Sequence, residues 1–154
     1  MDLKLHCSVM RCRNTFAFVL LTGCAAAALA AEIGQVKIAK GQVTIERQGK
    51  PLPAAVGARL QTSDLVRTGA DGSVGITMDD DSLLSAGPNS ELSLDHYGFD
   101  ATTNQGRFDA SLNKGTLAVI SGRIAKQSPD AMTVRTPNAI LGVRGTEFVV
   151  SAND

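Results

Sequence analysis

Tryptophan is absent from this 154-residue sequence, and aromatic residues make up only 4% of it. A core must therefore be assembled from Val, Ile, Leu, Ala and the few phenylalanines, which suits thin sheets packed with aliphatic side chains. Charge of one sign is lacking too, since 15 basic and 15 acidic residues cancel. Without a clustered basic surface nothing is there to neutralise phosphates, so nucleic acid is not expected as a partner. His6 and His96 are the only histidines, and the three cysteines, Cys7, Cys12 and Cys24, all fall inside the first thirty residues. Beyond them no disulfide can form, zinc has no ligand set, and a Ser-His-Asp triad has only His96 to draw on. His96 stands beside Tyr97 in a polar stretch, 96–105, that reads as a solvated and mobile loop. Neither a Gly-x-Ser-x-Gly elbow nor a phosphate-cradling glycine loop is present. The expectation is a protein with no catalytic residue, no cofactor, no metal and no small-molecule substrate.

The first thirty residues read as an address. A basic stretch (Lys4, Arg11, Arg13) precedes the apolar run Phe16-Ala17-Phe18-Val19-Leu20-Leu21, and Ala28-Leu29-Ala30 supplies the small side chains that a signal peptidase grips. Residues 1–30 are expected to be a secretory signal peptide, cleaved after Ala30, which places the domain 31–154 in the periplasm. Met10 is an alternative start that leaves this pattern intact. A permanent membrane anchor fits less well, because the apolar run is broken by Thr22 and Gly23 and falls short of the ~20 residues a bilayer requires. Leu21-Thr22-Gly23-Cys24 resembles a lipobox, and in that alternative Cys24 is lipidated and the protein is anchored to the membrane. The apolar run continuing through Ala31 argues against it, since a polar tether usually follows such a cysteine. Export leaves 12 basic and 14 acidic residues and no thiol. Stability must then come from burial and sheet hydrogen bonds alone.

From Ile33 onward apolar residues recur at every second place. Gly34-Gln35-Val36-Lys37-Ile38 and Gly41-Gln42-Val43-Thr44-Ile45 are near copies that predict two half-buried strands. The 15 glycines are spread along the chain as turn punctuation. Turns are expected at Gln48-Gly49-Lys50-Pro51, Gly87-Pro88-Asn89 and Lys114-Gly115, with a polar break at Ser128-Pro129-Asp130, and Asp71-Gly72 reads as a hairpin signal. Further strands are predicted at 73–78, 91–94, 107–113, 116–120, 132–135 and 146–151, after an irregular approach over 60–68. Seven to ten short, mostly antiparallel strands predict an all-β, compact sandwich or barrel-like domain. Asp79-Asp80-Asp81 with Ser82 is the one carboxylate cluster. Lacking the glycine and distal glutamate of a calcium loop, it reads as a solvated hairpin turn rather than a cation site.

One stretch carries a resemblance. Thr136-Pro137-Asn138-Ala139-Ile140-Leu141-Gly142-Val143-Arg144-Gly145-Thr146-Glu147-Phe148 resembles the signature of the FecR domain family, in which a Thr-Pro step leads through a small apolar stretch into Val-Arg-Gly-Thr-x-Phe. Asp64-Leu65-Val66-Arg67-Thr68-Gly69-Ala70-Asp71-Gly72, Asp80-Asp81-Ser82, Gly87-Pro88-Asn89-Ser90-Glu91-Leu92 and Gly115-Thr116-Leu117-Ala118-Val119 are similar to the family's earlier motifs, in order. Asp81 stands where the family usually has glycine, so a left-handed turn there is expected to be slightly strained. By geometry, Pro137 ends a strand, Gly142 and Gly145 allow a tight reversal, and Val143, Phe148 and Val150 reach the core. Arg144 and Thr146 are expected to satisfy carbonyls or carboxylates inside the fold rather than contact a ligand.

The resemblance implies a binding or sensing domain of the bacterial envelope. In the best-known members such a domain follows a membrane helix and a sigma-factor-controlling cytoplasmic segment, and receives its signal from an outer-membrane siderophore transporter. Neither segment is evident here, so the resemblance implies the domain type without transmembrane signalling by this chain alone. The family pattern runs on past the Phe148 strand into closing strands, whereas this sequence ends at Asp154. An open sheet edge over 146–151 is therefore expected, and with it a protein partner in the envelope bound by strand addition. An envelope scaffold is the alternative.

Overall fold

A computed structural model describes residues 31–144 and 147–153. The expected signal peptide, Cys24, and the signature residues Gly145 and Thr146 lie outside them. Among the described residues twelve strands form: β1 (Glu32–Lys40), β2 (Val43–Arg47), β3 (Lys50–Pro53), β4 (Arg59–Gln61), β5 (Leu65–Thr68), β6 (Ser73–Met78), β7 (Leu83–Ala86), β8 (Glu91–Asp100), β9 (Gln105–Ile120), β10 (Met132–Thr136), β11 (Ala139–Gly142) and β12 (Glu147–Ala152). One five-residue helix, α1 (Arg123–Gln127), and a single 3-10 turn (Pro129–Ala131) separate β9 from β10. The fold is all-β, and every pairing is antiparallel except that of β10 with β9.

Two wings share β9. One wing runs β4-β1-β6-β7 and then the C-terminal half of β9; the other runs β3-β2-β5-β8 and then its N-terminal half. β7 and β8 follow each other along one edge of β9, with Leu83 opposite Ile120 and Asp100 opposite Gln105. The other edge takes β10 beside Phe108–Ser111 and β12 beside Gly115–Ile120. Alternation does the burying. In β6 Val74, Ile76 and Met78 point in while Ser73, Gly75 and Thr77 are half-exposed, and Leu92, Leu94, Phe108, Ala110, Leu112, Leu117 and Val119 continue one core that both wings enclose. Each such Val, Leu, Ile, Met or Phe side chain contributes roughly 1.5–3 kcal/mol by leaving water.

Several local expectations are corrected. The 107–113 and 116–120 segments are one 16-residue strand, because Gly115, at φ +90°, bends β9 without reversing it. Most of the stretch read as a mobile loop is strand: β8 runs through Asp100, and only 101–104 turn, with Asn104 at φ +56°. Asp71-Gly72 makes no hairpin, since β5 and β6 belong to different wings. Gly72 is required by close approach, as a Cβ there would lie 2.3 Å from the Gln42 carbonyl oxygen. A primed hairpin forms instead at Gln48-Gly49, both at positive φ, between β2 and β3. The 60–68 approach contains β4 and β5. α1 went unforeseen because five residues are too few to show a 3.6 period.

Asp80 fastens α1 to the sheet. Its buried carboxylate accepts hydrogen bonds from the Ser82 hydroxyl (2.8 Å) and amide (3.2 Å) and from the Ile124 amide (3.3 Å). The Asp80 amide donates to the Tyr97 hydroxyl oxygen at 2.8 Å, and the Tyr97 ring meets Phe108 edge to face at 5.6 Å. Burial, and next the Asp80 charge, push the Tyr97 phenol well above its usual range. A phenol bound to its proton more tightly in the folded state keeps its full contribution below the unfolded value of about 10 and loses it as pH rises beyond. Tyr97 is the sole tyrosine. Tyrosinate absorbance is thus expected to appear only together with alkaline unfolding followed by circular dichroism. A reversible titration near pH 10 in the folded protein would contradict this packing.

Candidate functional site

A sheet with free edges invites pairing unless the edges are blocked. β3 is blocked by composition, since in Lys50-Pro51-Leu52-Pro53 the two prolines have no N–H to donate. β4 is three residues long, and its Arg59 is tied to Glu32 at 3.5 Å. β11 and β12 carry no such protection. Among the described residues β11 pairs only with β10, and β12 only with β9. Ile140 on β11 is 73% exposed and Val149 on β12 is 64% exposed.

These two unprotected edges lie side by side. Between them opens a cleft of about 510 Å³, lined on one side by Leu141, Gly142, Val143 and Arg144 and on the other by β12 from Glu147 to Ser151. Thr136 and Ala139 close the β10–β11 hairpin, the Thr136 hydroxyl accepting from the Ala139 amide at 3.0 Å, with Pro137 and Asn138 as the loop. The Val143 amide donates to the Met132 carbonyl at 2.9 Å and its side chain is buried, which holds the cleft wall to β10. Phe148 and Val150 turn half-buried toward the core, while Val149 turns out.

The structure therefore gathers most of the signature into one place and alters two of the expected roles. Arg144 is exposed and makes no ion pair or hydrogen bond with the described residues, so the anticipated pairing inside the fold is not formed there. Gly142 sits in an ordinary strand conformation, and a Cβ on it would meet nothing within 4 Å. Its lack of a side chain keeps the cleft open instead of permitting a reversal. β11 itself was missed as a strand; Thr136-Pro137-Asn138-Ala139, read as a hairpin loop, is the signal that finds it.

The upstream motifs are structural. Asp64, fully buried, takes a two-point pair from Arg47 at 2.8 and 2.7 Å and a third hydrogen bond from the Gln61 amide at 2.8 Å. The hydrogen bonding of Arg47 itself to Asp64, with the added charge attraction, raises the Arg47 guanidinium further above its already high value. The Thr68 hydroxyl donates to the Gly87 carbonyl at 2.6 Å and accepts from the Ser90 amide at 2.8 Å, stitching two turns together. Asp79, Asp80 and Asp81 diverge. Asp79 faces solvent, Asp80 points inward, and Asp81, at φ +64°, lies 2.9 Å from Arg123 in an ion pair without hydrogen-bond alignment. His96 is exposed opposite Asp109 on the β8–β9 ladder.

Comparison with known proteins adds one finding. No curated protein and no solved structure matches the chain. The model of the family described as FecR protein matches residues 64–154, which takes in the buried Asp64, both turns fastened by Thr68, the bend at Gly115 and every described residue of the cleft. β1 to β4 precede the matched span and complete both wings. With more than half of its length matched, and with the matched residues forming the frame and the cleft of the fold, the chain belongs to the FecR protein family.

Proposed function

We propose that this protein is a non-enzymatic interaction and sensing module of the bacterial periplasm, which binds an extended segment of an envelope protein by strand addition along β12. The observation that carries this reading is the pairing pattern: among the described residues β12 bonds to β9 on one side only, and its other side borders the cleft. An incoming strand would gain main-chain hydrogen bonds from β12 and place alternate side chains against Phe148, Val150 and the cleft wall. The N-terminal pattern of residues 1–30 supports export, with lipidation at Cys24 as the alternative tether. Family membership supports a signalling role linked to iron uptake, in which β12 receives the partner.

The test is a photoreactive residue at Val149, compared with one at Leu52 on the proline-blocked edge. A defined envelope protein is expected to cross-link from Val149 and not from Leu52. The link is expected to be lost in Gly142→Leu, a substitution that fills the cleft but keeps the melting temperature, because an added side chain there meets open space. Equal labelling from both positions, or none from Val149, would refute the reading.

A further inference from the structure

The residues of β12 are nearly symmetric about their centre. Glu147-Phe148-Val149-Val150-Ser151 runs polar, apolar, apolar, apolar, polar, with Glu147, Val149 and Ser151 on the outer face and Phe148 and Val150 turned toward the core. A two-fold axis perpendicular to a sheet requires residues directly opposite one another to share a face, so only registers that pair like parity are allowed. The register centred on Val149 sets Glu147 against Ser151, Phe148 against Val150 and Val149 against its own copy. Polar then meets polar, apolar meets apolar, and no like charges face each other. Shifting the centre to Phe148 places Glu147 against Val149; shifting it to Val150 places Val149 against Ser151.

The outer face carries the same logic beyond the strand. Ile38, Gly75, Ser85, Ala118 and Val149 are successive cross-strand neighbours from β1 through β6, β7 and β9 to β12. Ile38 is 54% exposed and Val149 64%. Small residues keep the row level between these two apolar ends. A second copy joined at Val149 would continue it across the axis, bringing two exposed valine side chains together at the seam.

From this self-complementarity we infer that the strand β12 accepts can be β12 of a second copy, making an antiparallel two-fold dimer centred on Val149. The inference rests on the strand-addition reading and names the occupant. Six-residue strands bury a small interface, so the dimer is expected to be concentration-dependent.

No cysteine follows Cys24. With Cys7, Cys12 and Cys24 replaced by serine, Val149→Cys therefore supplies one thiol per chain, and opposite Cβ atoms in such a pair lie ~4.5–5.5 Å apart, within reach of a disulfide or a short bismaleimide. Covalent dimer is expected from Val149→Cys and not from Leu52→Cys. Sedimentation of the parent chain should show a monomer–dimer equilibrium, and Val149→Lys, exposed enough to leave folding intact, should weaken it about tenfold by setting like charges on the axis. A chain that stays monomeric up to its solubility limit, with no link at Val149, overturns self-pairing. If photo-cross-linking from Val149 to an envelope protein persists in that case, strand addition stands and only the second-copy occupant falls; if it is absent as well, both fall.

Discussion

Gly115→Val is expected to cost roughly 3 kcal/mol or more of folding stability, read as a lowered urea midpoint at unchanged slope. Gly115 holds φ +90°, a region that a β-branched residue scarcely enters. A Cβ at this position would lie 2.2 Å from the Ser90 hydroxyl oxygen, 2.5 Å from the Ser90 Cα and 2.8 Å from the Asn89 carbonyl oxygen. Two of these are backbone atoms, and Ser90 is not free to retreat. Its amide donates to Thr68 at 2.8 Å, and its hydroxyl accepts from the Thr116 amide at 3.0 Å. Bending β9 elsewhere would misplace both wings, because its two halves belong to different ones. Gly98→Val is the matched control, as a Cβ there meets nothing within 4 Å. It should change stability by no more than about 0.5 kcal/mol. A loss below about 1 kcal/mol at Gly115 would mean that β9 is not bent there as described.

Asp64→Ala is expected to destabilise by about 3 kcal/mol, the low end for breaking a buried pair, because Arg47 keeps 27% of its side-chain exposure and can recover some water. The substitution removes two hydrogen bonds from Arg47 and leaves the Gln61 amide without its carboxylate acceptor in the turn between β4 and β5. Arg47 also donates to the Arg59 carbonyl at 2.9 Å, so β2, β4 and the turn loosen together. Asp64→Asn preserves an acceptor for the Gln61 amide and should cost less. Denaturant titration of the two variants separates them, and a negligible cost for Asp64→Asn would show that the pair's charge contributes nothing.

The wings were readable from the sequence wherever one face of a strand is wet. Val74, Ile76 and Met78 alternate with Ser73, Gly75 and Thr77, and the period alone places them. What was hidden depends on contacts remote in sequence. The bend at Gly115 is dictated by Ser90, 25 positions away, so locally Lys114-Gly115 looks like any turn. Asp71-Gly72 has hairpin chemistry, but the strands it joins are claimed by different neighbours, and no local rule reports that. Asp80 was read as part of a solvated turn, and the burial of Asp64 was not read at all, because their partners, the α1 backbone and Arg47, come from distant segments. At the candidate site the β12 strand was foreseen, and among the described residues it pairs on one side only. The cleft was not, because it needs β11, whose four residues show too little alternation to be read as a strand.

Amide hydrogen exchange along β12 tests the binding edge most directly, measured in dilute free protein and again with the partner cross-linked from Val149. In an antiparallel edge strand, alternate N–H groups face the neighbour and the rest face outward. The free protein should show slow and fast exchange alternating from Glu147 to Ala152, and the bound protein slow exchange throughout. Uniform slow exchange in the free protein would mean that the edge is already covered and has no strand to accept.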